Sequence, residues 1–386
     1  MRVDRLTCTQ FRNLEPLDLT FAPGVNLIIG ANGQGKTNIL EAIQFYKFGR
    51  SFRAGRDSEL VRFDADFCRV EVVTTLDAGA EDAYSASIEK SGAKRIKFDD
   101  KEIARLSELV GRFPCVLFGP HDLALVAGAP SERRRFLDMT GSMTDPAYMR
   151  TARDYKRVLQ QRNSALKSRA ADHELNVWNL QIVAAGAELI ERRRALVATL
   201  ESEMIAHAEE LDAPAVGFSL TYESTLLREA ESIAERAGDG NGVPSLRDVF
   251  AARLSALENE ERRRATTLTG PHRDDVSLRL GDVDLRTYGS QGQRRLFAVL
   301  LKLAELSYLE GRLGETCVLL LDDVFSEFDR VIMKKLQHLL DGKRQVFVTS
   351  PVELEWAASE NARVYHVSRG HVTRDGIDTL PQEVEP

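Results

Sequence analysis

Eight residues near the start of the chain constrain its fold more than any other stretch, because three glycines alternate with polar residues before a lysine and a threonine. They match G-x-x-x-x-G-K-[ST], the pattern of a phosphate-binding P-loop. The apolar run 25–29 predicts a buried strand before the loop, and a helical pattern begins at residue 37. A nucleoside triphosphate is therefore predicted to bind to a loop formed by Gly30, Ala31, Asn32, Gly33, Gln34, Gly35, Lys36 and Thr37.

Each residue type in this loop suits a triphosphate. Glycines let the backbone curl around a phosphate without Cβ clashes, and the N–H groups at the start of the following helix face the anion. We expect the Lys36 ammonium to reach the β- and γ-phosphates and the Thr37 hydroxyl to bind Mg²⁺. ATP and Mg²⁺ are the predicted cofactors.

The composition excludes several other classes of protein. The chain has 386 residues, enough for two or three domains, with 43% hydrophobic and 29% charged residues. No apolar run reaches the roughly 18 residues of a membrane span, and the first residues lack the apolar segment of a signal peptide. Four scattered cysteines indicate buried thiols in a reducing compartment. We therefore expect a cytoplasmic protein without membrane contact.

The pattern of hydrophobic residues changes twice along the chain. Strand signals dominate the first 120 residues, helical signals dominate 131–210, and strand signals return after residue 266. This order predicts an α/β head formed by residues 1–122 and 267–386, with a helical domain inserted at 123–266. A leucine or isoleucine recurs every seven residues from Leu175 to Leu196, which indicates long helices packed side by side.

Two further stretches have the pattern of nucleotide motifs. Residues 318–323 form an apolar strand that ends in two acids, as in a Walker B motif. Asp322 would hold Mg²⁺, and Asp323 would be the catalytic carboxylate that polarises the attacking water. Ser326 and Asp329, just beyond this strand, are similar to the D-loop of ABC ATPases, although a solvated turn is the alternative.

A polar stretch before a helix resembles the signature motif of the ABC superfamily. It consists of Ser290, Gln291, Gly292 and Gln293, with Ser290 as the predicted helix N-cap. In that superfamily the motif contacts the γ-phosphate of ATP held by the other subunit. The resemblance therefore implies a two-fold homodimer with ATP between the subunits.

The order and spacing of these motifs resemble the RecF family over nearly the whole chain. Further similar stretches are 11–14, 49–53, 133–138 and the Gly-Pro-His-Arg-Asp-Asp run 270–275. The resemblance implies an α/β fold: an ABC-type ATPase head with mixed β-sheets in two lobes, and an inserted helical arm. It implies a weak, DNA-stimulated ATPase of recombinational repair and replication-fork maintenance, linked to the SOS response. Such a protein would bind single-strand gaps and duplex/single-strand junctions, and help RecO and RecR to load RecA.

The chain departs from the wider ABC pattern at several positions. Gln291 replaces a glycine of the signature motif, and Asp323 stands where many ABC ATPases have glutamate, a change that suits slow hydrolysis. No glutamine occurs at 119–122, the position of the Q-loop, and no histidine follows the strand 345–349. Thr349 or Ser350 would replace that switch histidine.

The roles of four other residues stay open at this point. Arg12 and Asn13 are placed either at the nucleotide, as in the wider structural-maintenance-of-chromosomes superfamily, or in a salt bridge at a strand end. His272 and Arg273 would serve either an interface between lobes or the nucleotide.

A basic segment lies in the predicted arm. Residues 131–170 contain ten basic and four acidic residues, in a chain whose net charge is −7. This indicates a surface for a phosphate backbone, or else a solvated helix face with intrahelical ion pairs. The candidate DNA-binding residues are Arg133, Arg134, Arg135, Lys156 and Arg157.

Two other functions share these nucleotide motifs. The ATPase subunit of an ABC transporter would normally lack the basic helical insertion and carry the switch histidine. A nucleotide-gated scaffold would bind ATP without hydrolysing it.

Overall fold

The chain forms three sheets and nine helices within the residues that the structure describes. The computed structural model describes residues 1–211, 217–237, 245–324, 344–354, 362–374 and 377–378. No helix in these ranges is both long enough and apolar enough to cross a membrane. By packing, the chain divides into two compact units, one of Met1–Asp122 with Glu305–Pro386 and the other of Leu123–Ala304.

The part before residue 123 is rich in strands. Its elements are β1 (Arg2–Thr9), β2 (Leu17–Thr20), β3 (Val25–Ile29), α1 (Lys36–Gln44), β4 (Phe67–Thr75), β5 (Glu81–Glu89), β6 (Lys94–Phe98), β7 (Lys101–Glu102) and β8 (Cys115–Phe118). Short 3₁₀ turns occupy Phe45–Lys47, Asp57–Leu60, Leu106–Leu109 and Pro120–Asp122.

Helices dominate the middle of the chain, and strands return at its end. The middle contains α2 (Leu123–Ala127), α3 (Pro130–Thr144), α4 (Pro146–Lys167), α5 (Asp172–Glu210), β9 (Phe218–Glu223), α6 (Thr225–Ala237), α7 (Leu246–Arg264), β10 (Asp275–Leu280), β11 (Val283–Asp284), α8 (Leu285–Tyr288) and α9 (Gln291–Leu313). The end contains β12 (Val318–Asp322), β13 (Val346–Ser350), β14 (Arg363–Ser368), β15 (His371–Arg374) and β16 (Ile377–Asp378).

A seven-stranded mixed sheet has the order β16-β15-β14-β3-β13-β12-β8. Its five strands β14, β3, β13, β12 and β8 run parallel. Parallel strands covered on both faces consist of continuous apolar runs, and every residue of β12 and β13 is buried. Strands β14 and β15 pair from Ser368 and His371, which places a hairpin turn at Arg369–Gly370.

A six-stranded antiparallel sheet has the order β2-β1-β4-β5-β6-β7. Along β1, buried Val3, Leu6 and Cys8 alternate with more exposed polar residues, as one covered sheet face requires. The buried faces of both sheets and the apolar side of α1, including Ile39 and Ile43, form one hydrophobic core. The helix that follows the P-loop is therefore held by side chains of the core.

The second unit combines the helices α2–α8 and the first part of α9 with a small sheet of order β11-β10-β9. Leu175, Ile182, Leu189 and Leu196 of α5 are all at most 4% exposed, so the seven-residue repeat does mark a packed face. Strand β9 was not predicted from the sequence. All six of its residues pair with β10, which explains why the unit ends after Ala304 and not after residue 266, where the sequence pattern placed the boundary.

A buried arginine ties three helices of this unit together. Arg162 on α4 is fully buried and donates to the Glu261 carboxylate (2.6 Å), the Asn179 side-chain oxygen (2.8 Å) and the Thr267 hydroxyl (2.8 Å). Glu261 is fully buried as well. Arg162 belongs to the basic segment read from the sequence, but it is not available to an external phosphate.

His272 in the Gly-Pro-His-Arg-Asp-Asp stretch is also part of the interior of the second unit. Its Nε2 lies 3.1 Å from the carbonyl oxygen of Thr267, which only accepts, so Nε2 carries the proton. Nδ1 then accepts from the Tyr155 hydroxyl at 2.6 Å. Burial lowers the pKa of His272 to about 4. Its role is therefore to join α4 to the segment before β10.

Two other residues of this stretch, Pro271 and Asp274, also accept hydrogen bonds within the second unit. Arg193 on α5 donates to the Asp138 carboxylate (2.8 and 2.9 Å) and to the Pro271 carbonyl (2.7 Å). Asp274 accepts from the Tyr222 hydroxyl at 2.8 Å, and burial raises its pKa to about 6. The Gly-Pro-His-Arg-Asp-Asp stretch thus organises the interior of the second unit.

Replacement of Arg162 by alanine should destabilise the protein by about 3–5 kcal/mol, because it leaves the Glu261 charge buried without its ion-pair partner. The matched control is Arg157→Ala on the exposed side of the same helix, which should change stability by less than about 1 kcal/mol. Denaturant unfolding measures both values. Equal effects of the two variants would contradict the structural role of Arg162.

The stability that His272 contributes should be lost as the pH drops from 6.5 towards 4, because the folded state holds His272 neutral while the unfolded chain takes up a proton. The contribution is at most about 3 kcal/mol for a shift of this size. The unfolding midpoint of wild type should therefore fall relative to that of His272→Gln as the pH decreases through this window. Asp274 acts in the opposite direction, since its raised pKa makes stability fall as the pH rises towards 6. Its contribution cancels when the two proteins are compared, so identical profiles would refute the prediction for His272.

Candidate nucleotide-binding site and basic surface

The P-loop and the Walker B motif meet at one edge of the seven-stranded sheet. Strands β3, β13 and β12 are adjacent and parallel, so their carboxyl ends lie side by side. The P-loop follows β3, Asp322 is the last residue of β12, and Thr349 lies near the end of β13. The sheet therefore brings together residues that are about 300 positions apart in sequence.

The loop has the backbone that its glycines predict. Gly33 and Gly35 have φ values of 78° and 118°, a region that other L-residues avoid, and α1 begins directly after Gly35. Lys36 is 5% exposed, and its ammonium donates to the carbonyl oxygens of Gly30 (2.7 Å) and Ala31 (3.2 Å). The lysine is thus held across the loop, with its charge where a phosphate would be bound.

The Asp322 carboxylate is the centre of the site. One of its oxygens accepts hydrogen bonds from the hydroxyls of Thr37 and Thr349, each at 2.8 Å. The structure therefore brings the two predicted Mg²⁺ ligands, Thr37 and Asp322, into direct contact. Hydroxyl and carboxylate oxygens suit this hard cation, which is commonly held by one or two protein groups together with phosphate oxygens and water. In the part of the chain that the structure describes, no group of three acidic, histidine or cysteine side chains could hold a metal instead.

Asp323 follows directly and turns away from the strand. Its φ of 54° is left-handed, and its N–H donates to the Thr349 hydroxyl at 2.9 Å. Thr349, one of two candidates for the missing switch histidine, therefore contacts both acids of the Walker B motif. The D-loop residues Ser326 and Asp329 lie outside the described residues.

A buried carboxylate that the sequence did not reveal supports the P-loop helix. Glu41 on α1 is fully buried and accepts from Arg12 (2.8 and 3.0 Å) and Arg53 (2.8 and 3.1 Å). Burial alone would raise its pKa, but these two arginines and Ser51 outweigh it and lower the pKa of Glu41 below its usual value. Of the two roles left open for Arg12, the structure thus shows a salt bridge.

Asn13 connects this cluster to the P-loop. Its side-chain oxygen accepts from Asn38 on α1, and its side-chain nitrogen lies 3.4 Å from the Gly33 carbonyl oxygen. Asn38 also accepts from Arg53. No pattern in the sequence shows this arrangement, because it depends on how the segment after β1 folds back over α1.

The signature-like stretch forms a capped helix start in the second unit. The Gln293 N–H donates to the Ser290 hydroxyl (3.2 Å), and the Ser290 N–H donates to the Gln293 side chain (2.9 Å). This reciprocal pair is a capping box, and it confirms Ser290 as the N-cap of α9. Ser290, Gln291, Gly292 and Gln293 are all exposed.

Two of the five candidate DNA-binding residues, both arginines, are held within the protein. Arg133 is 3% exposed and binds the Asp275 carboxylate through two hydrogen bonds of 2.7 and 2.9 Å. Its prediction as a DNA contact is therefore wrong, because its charge is neutralised in the interior. Arg134 is half-buried and donates to the Asp274 carbonyl at 2.6 Å, which leaves it poorly placed as well.

The remaining candidates Arg135, Lys156 and Arg157 are exposed. Lys156 and Arg157 lie on α4 and belong to a larger group of cations there, because positions three, four and seven apart share one side of a helix. This group, the α4 basic face, consists of Arg150, Arg153, Lys156, Arg157 and Lys167. The opposite side of α4 is buried and includes Tyr155 and Val158. Asp154 lies 3.8 Å from Arg157 at the margin of the face, which keeps a clear excess of positive charge.

Comparison with known proteins identifies the family. The family model described as RecF/RecN/SMC N terminal domain matches residues 2–373. The DNA replication and repair protein RecF of Halalkalibacterium halodurans is 36% identical over 97% of this chain and its own whole length. RecF of Roseiflexus castenholzii is 37% identical over 96% of this chain and 99% of its own.

Solved structures agree with this assignment. The recombination mediator protein RecF of the RecFOR pathway, solved with ATP, has a TM-score of 0.85 and 31% identity, and 97% of each chain is covered. An Smc head bound to the C-terminal winged-helix domain of ScpA has a TM-score of 0.52 at 15% identity, and 99% of this chain and 98% of that chain are covered, which supports the fold alone. The predicted α/β fold of an ABC-type ATPase head with mixed sheets is thereby confirmed, and the chain belongs to the RecF family.

Proposed function

We propose that this protein is an ATP-dependent DNA-binding protein of DNA replication and recombinational repair. The observation that carries the proposal is the meeting of P-loop and Walker B motif at Asp322, whose carboxylate accepts from Thr37 and Thr349. This arrangement is built for a triphosphate with a divalent cation. A RecF relative has been solved with ATP, which supports the same ligand here.

In the proposed ATP site, the loop N–H groups and Lys36 bind the phosphates, and α1 directs its N-terminus towards them. Thr37 and Asp322 would hold Mg²⁺, and the ion would supply positive charge next to the phosphates. Asp323 orients the attacking water and accepts its proton. Thr349 fixes both acids, since its hydroxyl donates to Asp322 and accepts from the Asp323 N–H.

The exposed start of α9 supports the proposed homodimer. Ser290 and Gln293 cap the helix, and the motif remains exposed, so its partial positive charge is open to an anion. We place the γ-phosphate of ATP bound to the other subunit at this helix start. ATP would then hold two heads together, and hydrolysis would separate them.

The α4 basic face is the proposed DNA contact, together with Arg135. It carries five cations without a base-reading element, so binding should follow the phosphate backbone and not the sequence. Single-strand gaps and duplex/single-strand junctions are the proposed targets. RecR and RecO are the proposed partners, and the loading of RecA is the proposed outcome. The proposed location of this activity is the cytoplasm. The similarity to a RecF that acts as a recombination mediator in the RecFOR pathway supports this placement.

Asp323→Asn should abolish ATP turnover while ATP affinity changes by less than about threefold, because the carboxylate is needed for the attacking water and not for phosphate binding. Phosphate release and calorimetric titration with Mg·ATP measure the two quantities. Unchanged turnover would exclude Asp323 as the catalytic residue. A wild-type protein that binds ATP without turnover would instead favour a nucleotide-gated scaffold.

Sedimentation with and without Mg·ATP and gapped DNA tests the dimer and the DNA surface together. ATP, alone or with DNA, should convert monomer to dimer, and Ser290→Arg should prevent this. Arg153→Ala/Arg157→Ala should still dimerise but bind DNA more weakly, with a salt dependence about two phosphate contacts smaller. The control Arg263→Ala/Arg264→Ala removes two exposed charges from α7 and should bind DNA normally.

A protein that stays monomeric and ignores gapped DNA at low salt would contradict the proposed DNA-binding function. A transporter-type ATPase subunit or a scaffold would then explain the nucleotide motifs better.

A further inference from the structure

The hairpin turn near the C-terminus contacts the P-loop directly. The N–H of Arg369 donates to the side-chain oxygen of Gln34 (2.5 Å), and the N–H of Gly370 donates to the Gln34 carbonyl (2.9 Å). Gln34 is a variable position of the motif, and its side chain is directed to this turn. The part of the loop between Gly33 and Gly35 is thus held from outside by two hydrogen bonds.

The same turn contacts the segment after β1. The Gly370 carbonyl accepts from the Glu15 N–H at 3.0 Å. Gly370 has a φ of 82°, and a methyl group there would overlap the carbonyl oxygen of Asn13. Asn13 in turn lies against Gly33, and a methyl group on Gly35 would lie 3.0 Å from its side-chain oxygen. The turn therefore contacts both the P-loop and the segment 13–15, and this segment also contacts the P-loop.

The first glycine of the P-loop is constrained by the same hairpin. A methyl group on Gly30 would overlap the carbonyl oxygen of Val367 on β14. The hairpin of β14 and β15 thus meets the P-loop at its beginning, through Val367, and again at Gln34, through its turn. These contacts leave the loop little freedom before any nucleotide binds.

We propose that the Arg369–Gly370 turn is a brace that sets the P-loop in its ATP-binding conformation, with Gln34 and Gly370 as positioning residues. The inference rests on the proposed ATP binding at this loop. Since coupling between two sites is reciprocal, ATP binding must stiffen the turn as much as the turn favours ATP binding. The hairpin of β14 and β15 is thereby coupled to the P-loop and to the nucleotide that the loop binds.

The test uses the full chain with two variants and one matched control. Gly370→Ala forces the turn away from Asn13, and Gln34→Met removes the oxygen that accepts from Arg369. Gly314→Ala is the control, because Gly314 also has a left-handed φ (69°) but open space around an added methyl group. Calorimetric titration with Mg·ATP, thermal unfolding and hydrogen exchange of peptides covering 365–374 are measured for each protein.

Wild type and Gly314→Ala should show slower exchange in the turn when Mg·ATP is added. Gln34→Met and Gly370→Ala should lose this protection and bind ATP about five- to tenfold more weakly, the loss expected for one hydrogen bond of a preorganised loop. Gly370→Ala should unfold at a lower temperature than Gly314→Ala, because its added methyl group overlaps backbone while that of Gly314→Ala meets open space. Gln34→Met keeps the test decisive if the glycine variant fails to fold.

Two results would overturn the brace. One is a wild-type turn whose exchange ignores ATP although the titration shows binding, and the other is a Gln34→Met protein with wild-type affinity and protection. Lys36→Ala is the reference variant that should not bind ATP. If the wild type binds none either, the proposed function is overturned together with the brace. The titration therefore separates the two failures.

Discussion

The hydrogen bonds from Thr37 and Thr349 to one oxygen of Asp322 are the interaction on which the rest of the site depends. They join the carboxyl ends of three adjacent parallel strands, β3, β13 and β12, which come from opposite ends of the chain. A shift of register by one residue would turn Asp322 and Thr349 to the other face of their strands. The buried apolar residues of the strands fix the register, so the hydrophobic core determines the position of the catalytic groups.

The sequence was sufficient where function depends on consecutive residues. The P-loop, the end of β12 and the cap at Ser290 are local, and backbone chemistry alone explains why glycine, lysine, aspartate and serine occur there. It was insufficient where function depends on distant partners. Arg133 belongs to a basic run, but its partner Asp275 comes 142 positions later, and only the fold shows that its charge is neutralised. Glu41 similarly looks like an ordinary polar residue of a helix.

Strand β9 escaped prediction for a different reason. Phe218, Leu220 and Tyr222 alternate with polar residues and are buried, so the signal of a half-covered strand was present in the sequence. The surrounding helical patterns obscured it. The consequence reaches further than one strand, because β9 pairs with β10 and thereby draws residues 267–304 into the second unit. A domain boundary that depends on strand pairing cannot be placed from local patterns.

Helix α4 shows how one element supplies both structural and functional arginines. Its inner side places Arg162 among Glu261, Asn179 and Thr267, which satisfy its guanidinium, because a buried charge without partners would be strongly destabilising. Its outer side carries Arg157 and the rest of the α4 basic face. The helical period directs these side chains to solvent and away from the buried partners of Arg162. Packing of the inner side against α5 and α7 therefore fixes the direction in which the outer cations point. The count of basic residues overstates the surface available to a polyanion, and the period of the helix is the better guide.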